Sequence, residues 1–159
     1  MATPVGKMSM QKTILITGAS SGLGRALFHA GLKAGHTVVG TVRRDEDRAA
    51  MQALSSDGRS QAVILDVTDF KGIGAAVTAL DNRFGSIDVL INNAGYGHEG
   101  ILEESPIEEL LRQLEVNLFG AVAMIKAVLP YAQTRPRTHY QHHIHGWLYW
   151  TARYCLLHG

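Results

Sequence analysis

The β-branched run Lys12 to Ile16 passes straight into Thr17-Gly18-Ala19-Ser20-Ser21-Gly22-Leu23-Gly24 and then into the helix-forming Arg25-Ala26-Leu27-Phe28. No other stretch constrains the fold as much. A buried strand, a glycine-rich turn and a helix start in immediate succession aim the first backbone N–H groups of the helix at one spot, where an anion is favoured. Taken by itself, such a turn serves tight packing about as often as it serves a phosphate. The rest of the chain separates these two readings.

Gly22 to Ala34 carries Leu23, Ala26, Leu27, Ala30 and Ala34 at helical spacing, and Gly35 supplies the stop. His36 to Val42 predicts a second strand, and Asp45 to Leu54 a short helix with acids in its first turn. Ser55 to Gly58 reads as a loop, Gln61 to Leu65 as a third strand, Asp69 to Phe84 as a helix capped by Asp69, and Ile87 to Ile91 as a fourth strand. Strands alternating with helices of these lengths demand parallel pairing, right-handed crossovers and helices on both faces. The expected fold is an α/β doubly wound parallel sheet of about four strands plus a long helix. That helix opens at Ser105-Pro106, with Ser105 as cap, Pro106 as first helical residue and Glu108 and Glu109 behind them. Leu110, Leu111, Leu114, Leu118, Val122, Ile125 and Leu129 carry it to about Pro130.

At 159 residues the chain has room for one domain. Residues 1–10 lack an apolar core segment and are expected to be a disordered lead-in. No apolar run approaches the ~20 residues that span a bilayer, so no membrane partner is expected. The single cysteine, Cys155, excludes an internal disulfide and agrees with a reducing compartment, which makes a cytoplasmic location the expectation. Charge is uneven along the chain. Up to residue 115 there are eleven Lys and Arg against fourteen Asp and Glu, a net of −3, whereas residues 116–159 carry four basic residues and no acid.

Two more motifs fall on strand ends: Asp66-Val67 directly after the third strand and Asn92-Asn93-Ala94-Gly95 directly after the fourth. Together with glycines spaced as Gly18, Gly22 and Gly24, they make the chain resemble the short-chain dehydrogenase/reductase family over roughly residues 12–137. The resemblance implies a Rossmann-type nucleotide-binding domain over residues 11–137, N-terminal part only. It also implies hydride transfer between a nicotinamide cofactor and a small-molecule carbonyl or alcohol. Gly18, Ser20, Ser21, Gly22, Leu23 and Gly24 would line the pyrophosphate and nicotinamide ribose. Asp66 and Val67 would meet the adenine, and Asn93, Ala94 and Gly95 the adenosine ribose and the chain behind it. Family members commonly oligomerise through long helices like the one from Pro106. Without a following helix that interface is expected to be incomplete here.

Physical chemistry points the same way, because ligands of open α/β sheets bind outside the carboxyl ends of strands, where Thr17, Val42, Asp66 and Asn92 stand. An acid at the end of the second strand bonds the ribose 2′-OH of NAD, whereas arginine accepts a 2′-phosphate. Here Val42 holds the acid's position and Arg43 and Arg44 follow. NADP(H) is therefore favoured over NAD(H), with Arg43 as the phosphate partner. The competing reading makes Arg43 and Arg44 solvated residues paired with Asp45, Glu46 and Asp47.

Catalysis in the family rests on an asparagine in the long helix, a serine after the fifth strand, and a tyrosine four residues ahead of a lysine. Asn117 matches the first, where the family asparagine holds a water of the proton relay. The other three are absent, since no serine follows Ser105 and no lysine follows Lys126. Tyr149 and Arg153 have the spacing, but an arginine fork does not replace a lysine ammonium. The alternative function is therefore a truncated, catalytically inactive nucleotide-binding relic.

Residues 138–159 look non-native, with five of the eight histidines, both tryptophans and no regular period. Translated with allowed codons from the last two bases of the Arg137 codon, Thr138 to His158 becomes GHIINITSMGGFIGLPGIAYY. That is an apolar strand ending in serine, a Gly/Pro loop and a tyrosine. A frameshift near Arg137, in the gene or in the sequence record, is the expected cause. His142, His143 and His145 are accordingly not expected to bind metal, nor the basic and aromatic tail to bind nucleic acid. The tail is expected to be disordered or poorly packed, leaving the fourth strand as a sheet edge.

Overall fold

Strand β1 (Thr13–Ile16) buries Leu15 towards one face of the sheet and Ile16 towards the other, and this alternation assigns every neighbouring element to a layer. The computed structural model describes residues 11–101, 103–133, 139–142 and 153–158. After β1 come α1 (Gly22–Lys33), β2 (Thr37–Val42), α2 (Asp45–Gln52), β3 (Ser60–Ile64), α3 (Phe70–Phe84) and β4 (Val89–Asn92). All four strands pair in parallel, with Leu15 opposite Val39 and Leu90, and Gly40 opposite Ala62. Their runs are apolar on both sides because helices cover both faces. Ile16, Phe28, Val38, Val42, Met51 and Ile91 form the core under α1 and α2. Leu15, Val39, Ile73, Val77, Leu80, Leu90, Met124 and Val128 form the other.

The long helix is present in three parts: α4 (Ile107–Leu114), a π-helical turn (Glu115–Gly120) and α5 (Ala121–Gln133). Its 25-residue run Ile107–Tyr131 is long and apolar enough, by composition, to cross a bilayer. Met124 and Val128 are buried in the sheet core. Ile107, Leu111 and Phe119 are exposed.

Three local expectations are corrected. The helix starts one residue later than its sequence suggests, with Pro106 in the cap position and no side-chain cap. The Ser105 hydroxyl is drawn away because it donates to the Ile101 carbonyl at 2.9 Å and pairs with His98 Nε2 at 3.1 Å. The four parallel strands form as expected, but β4 is not left as an edge. Two further strands, β5 (His139–His142) and β6 (Arg153–His158), extend the sheet to the order β3-β2-β1-β4-β6-β5. Strand β6 runs antiparallel to β4, with Val89 opposite Leu156 and Asn92 opposite Arg153. An open strand edge is a row of unpaired N–H and C=O groups, which any extended segment can satisfy. The lead-in at residues 1–10 and the tail residues 138, 143–152 and 159 lie outside the described residues.

Candidate functional site

Helix α1 begins without a side-chain cap: Ser21 is extended and its hydroxyl bonds no helix N–H. The first helical hydrogen bond runs from Arg25 N–H to the Ser21 carbonyl, so the N–H groups of Gly22, Leu23 and Gly24 have no partner within the helix. Gly22 has φ +53°, and a Cβ there would meet nothing within 4 Å. The backbone is therefore open to close approach where the helix dipole favours negative charge.

The turn is lashed to strands on either side. Gly18 N–H donates to Thr41 Oγ1 at 3.1 Å. Asn93 Nδ2 donates to the carbonyls of Thr17 and Gly18 at 3.0 and 2.9 Å, and Thr17 Oγ1 accepts from the N–H groups of Asn93 and Ala94 at 3.0 Å each. Asn93 Oδ1 is buried without a partner. Thus the Asn93 amide nitrogen is committed to the turn, and Ala94 packs against Gly18, whose Cβ would stand 2.9 Å from Ala94 Cα.

These elements border a cleft of about 730 Å³ at the carboxyl ends of the strands. It brings together Gly18, Ser20, Ser21, Gly22, Leu23, Arg43, Asp66, Val67, Asn93, Ala94 and Gly95. Gly24 lies behind the turn, facing Gly18 and Asn93. A dinucleotide suits this donor set, with free helix N–H groups for a pyrophosphate and an arginine and a carboxylate in the same cleft.

The two arginines after β2 are not equivalent. Arg44 forks onto Asp47, with Nε and one terminal nitrogen 2.9 and 3.1 Å from the two carboxylate oxygens. That pairing lowers the Asp47 pKa and raises that of Arg44. Arg43 instead lines the cleft together with Asp66. The Asp66 carboxyl is held below its ordinary 3.8 chiefly by the Thr68 N–H, against an opposing effect of partial burial, with further help from the Thr68 hydroxyl and from Arg43. Both Thr68 groups donate to Oδ1, at 2.9 and 2.8 Å. A pKa depressed by folding stabilises the fold above the unfolded value and loses that contribution as pH falls through the folded one. The melting-temperature difference between the unaltered chain and Asp66→Asn should therefore be constant through neutral pH and shrink below 3.8. A difference that instead shrinks near neutrality would contradict this account.

Asn117 sits in the π turn, a local widening often associated with functional sites. Its Oδ1 accepts from Tyr96 N–H at 3.0 Å and its Nδ2 donates to the Tyr96 carbonyl at 2.8 Å. The side chain thus ties the long helix to the loop after β4, and Gly95 packs on it. Asn117→Ala would leave both Tyr96 groups unsatisfied and should cost about 1–3 kcal/mol. Hydrogen exchange at Tyr96 N–H should rise with that loss; unchanged protection would refute the tie. Sequence reasoning placed Thr17 at the crevice but missed Thr41, Glu109, Arg112 and Val116. A polar threonine near the end of an otherwise apolar strand was the available signal for Thr41.

A family model described as short chain dehydrogenase matches residues 12–138. The chain belongs to the short-chain dehydrogenase family. It is 38% identical over 130 residues to the oxidoreductase BOA17 of Botryotinia fuckeliana, covering 82% of this chain and 47% of that protein. It is 40% identical over 124 residues to the 3-ketodihydrosphingosine reductase of Bacteroides thetaiotaomicron, covering 78% of this chain and 43% of that one. Among solved structures, a short-chain dehydrogenase from Streptomyces avermitilis superposes with a TM-score of 0.74 at 41% identity, covering 79% of this chain and 46% of the other. ElxO with NADP bound gives 0.73 at 30%, covering 79% and 52%. This short-chain dehydrogenase chain thus spans about half the length of the relatives it matches.

Proposed function

We propose that this short-chain dehydrogenase domain binds NADP(H) and serves hydride transfer between the nicotinamide and a small carbonyl or alcohol. The observation that carries the choice of cofactor is Arg43, which lines the cleft beside Asp66 while Arg44 is occupied by Asp47. No carboxylate follows Val42 directly to repel a 2′-phosphate. NADP in the ElxO structure supports the reading by similarity. When bound, the cofactor supplies the hydride donor or acceptor. The chain's own residues hold the pyrophosphate at the α1 N-terminus, orient the adenosine end against Arg43 and Asp66, and keep the loop after β4 in place through Asn117. Fluorescence titration with NADPH and NADH tests the reading, with NADPH expected to bind at least tenfold tighter. Equal affinities would overturn it.

A second reading concerns chemistry in the chain as written. No serine follows Ser105 and no lysine follows Lys126, which favours a nucleotide-binding chain without turnover. We attribute this to residues 138–159 being read out of frame. The family match stops at residue 138, where the overlapping frame takes up the apolar strand, serine and tyrosine described above. Sequencing the encoding DNA decides the point: codons that exclude a family-like overlapping frame would defeat it. NADPH binding without aldehyde reduction is the expected behaviour of the chain as written.

A further inference from the structure

Helix α4 presents to the cleft a charge pair that the proposed function leaves unused. Glu109, Arg112 and Val116 recur at spacings of three and four along one stripe, and all three line the cleft. One turn further, a Cβ on Gly120 would stand 2.8–3.1 Å from Val67, so the helix lies hard against the loop that follows β3. The stripe therefore forms the wall of the cleft next to the Asp66-Val67-Thr68 segment. Arg112 donates to Glu109 at 2.6 Å, and the two side chains are 62% and 29% exposed. An exposed pair of this kind contributes little to stability and opens readily.

We propose that Arg112 is an adenine clamp: on nucleotide binding its guanidinium leaves Glu109 and lies over the purine face. Planarity and weak hydration suit the guanidinium to stack on a π surface, which an ammonium does less well. Arg43 and Asp66 border the opposite side of the slot, and Glu115 stands on the α4 side. The base is thereby sandwiched between the β3 end and α4. The clamp rests on the proposed placing of the adenosine end against Arg43 and Asp66.

The test measures binding of 5′-AMP, NADPH, NADH and nicotinamide mononucleotide to the full chain by calorimetry. Arg112→Ala should weaken the three adenine ligands by one common factor, about three- to tenfold for a partly desolvated cation–π contact. Nicotinamide mononucleotide should be unaffected. Arg112→Lys, which keeps the charge but not the plane, should recover only a minor part of the loss. Unchanged 5′-AMP affinity overturns the clamp, and full recovery by lysine does the same by reducing Arg112 to a distant charge. Loss confined to NADPH would make it a phosphate ligand and equally overturn it. Absence of binding by any nucleotide to the unaltered chain would instead overturn the cofactor reading on which the clamp rests.

Discussion

Arg43→Asp is expected to lower NADPH affinity by at least about a hundredfold while leaving NADH equal or tighter. A hydrogen bond to a charged group contributes about 1.5–3 kcal/mol, which already spans roughly ten- to a hundredfold. Reversing the charge adds repulsion between a carboxylate and the 2′-phosphate. With NADH the new carboxylate can instead accept from the ribose 2′-OH. The same change would remove the cation that helps hold Asp66 ionised and bring a second carboxylate towards it, so binding should also become sensitive to mild acid. Arg44→Ala is the control, expected within about twofold of the parent because Asp47 already occupies that guanidinium and an exposed pair is weak. Equal losses in the two variants would sink the assignment of Arg43.

Gly24→Ala should cost about 2–4 kcal/mol of stability and abolish detectable NADPH binding. Replacing glycine within a helix ordinarily helps by about 1 kcal/mol. Here the added Cβ would collide with the Gly18 carbonyl and Asn93 Nδ2, and would lie 3.1 Å from Ala19 Cα. Two of these three neighbours are backbone, so a rotamer change cannot relieve the overlap, and overpacking against rigid neighbours costs about 1–3 kcal/mol or more. Moving Asn93 would break its bonds to the Thr17 and Gly18 carbonyls, which shape the turn. Against a typical total of about 5–15 kcal/mol the loss is large. Gly22→Ala separates folding from binding. Its Cβ would enter open space at a positive φ, so a smaller stability loss should accompany the loss of affinity. Melting temperature and NADPH titration report the two effects, and a fully stable, NADPH-binding Gly24→Ala protein would refute the packing argument.

The sequence by itself determined the layers and the cradle. Apolar β-branched runs such as Thr37–Val42 can be buried only on both faces, which demands a parallel sheet between helices. Gly18 and Gly22 announce a backbone that other residues adopt poorly, and both have positive φ. Motifs on the ends of β3 and β4 then had to converge, because parallel strands carry their carboxyl ends to one side. Tertiary structure decided whatever depended on competition between partners distant in the chain. Asp47 took Arg44 and left Arg43 in the cleft, although both arginines follow β2 equally well. Ser105 turned from capping the helix to bonding Ile101 and His98, and Asn117 found Tyr96 across 21 positions. Strand β6 settled on the β4 edge because exposed N–H and C=O groups there accept an extended segment in either direction. Local propensity specifies elements, while the choice among several chemically adequate hydrogen-bond partners is made by which of them the assembled fold brings within reach.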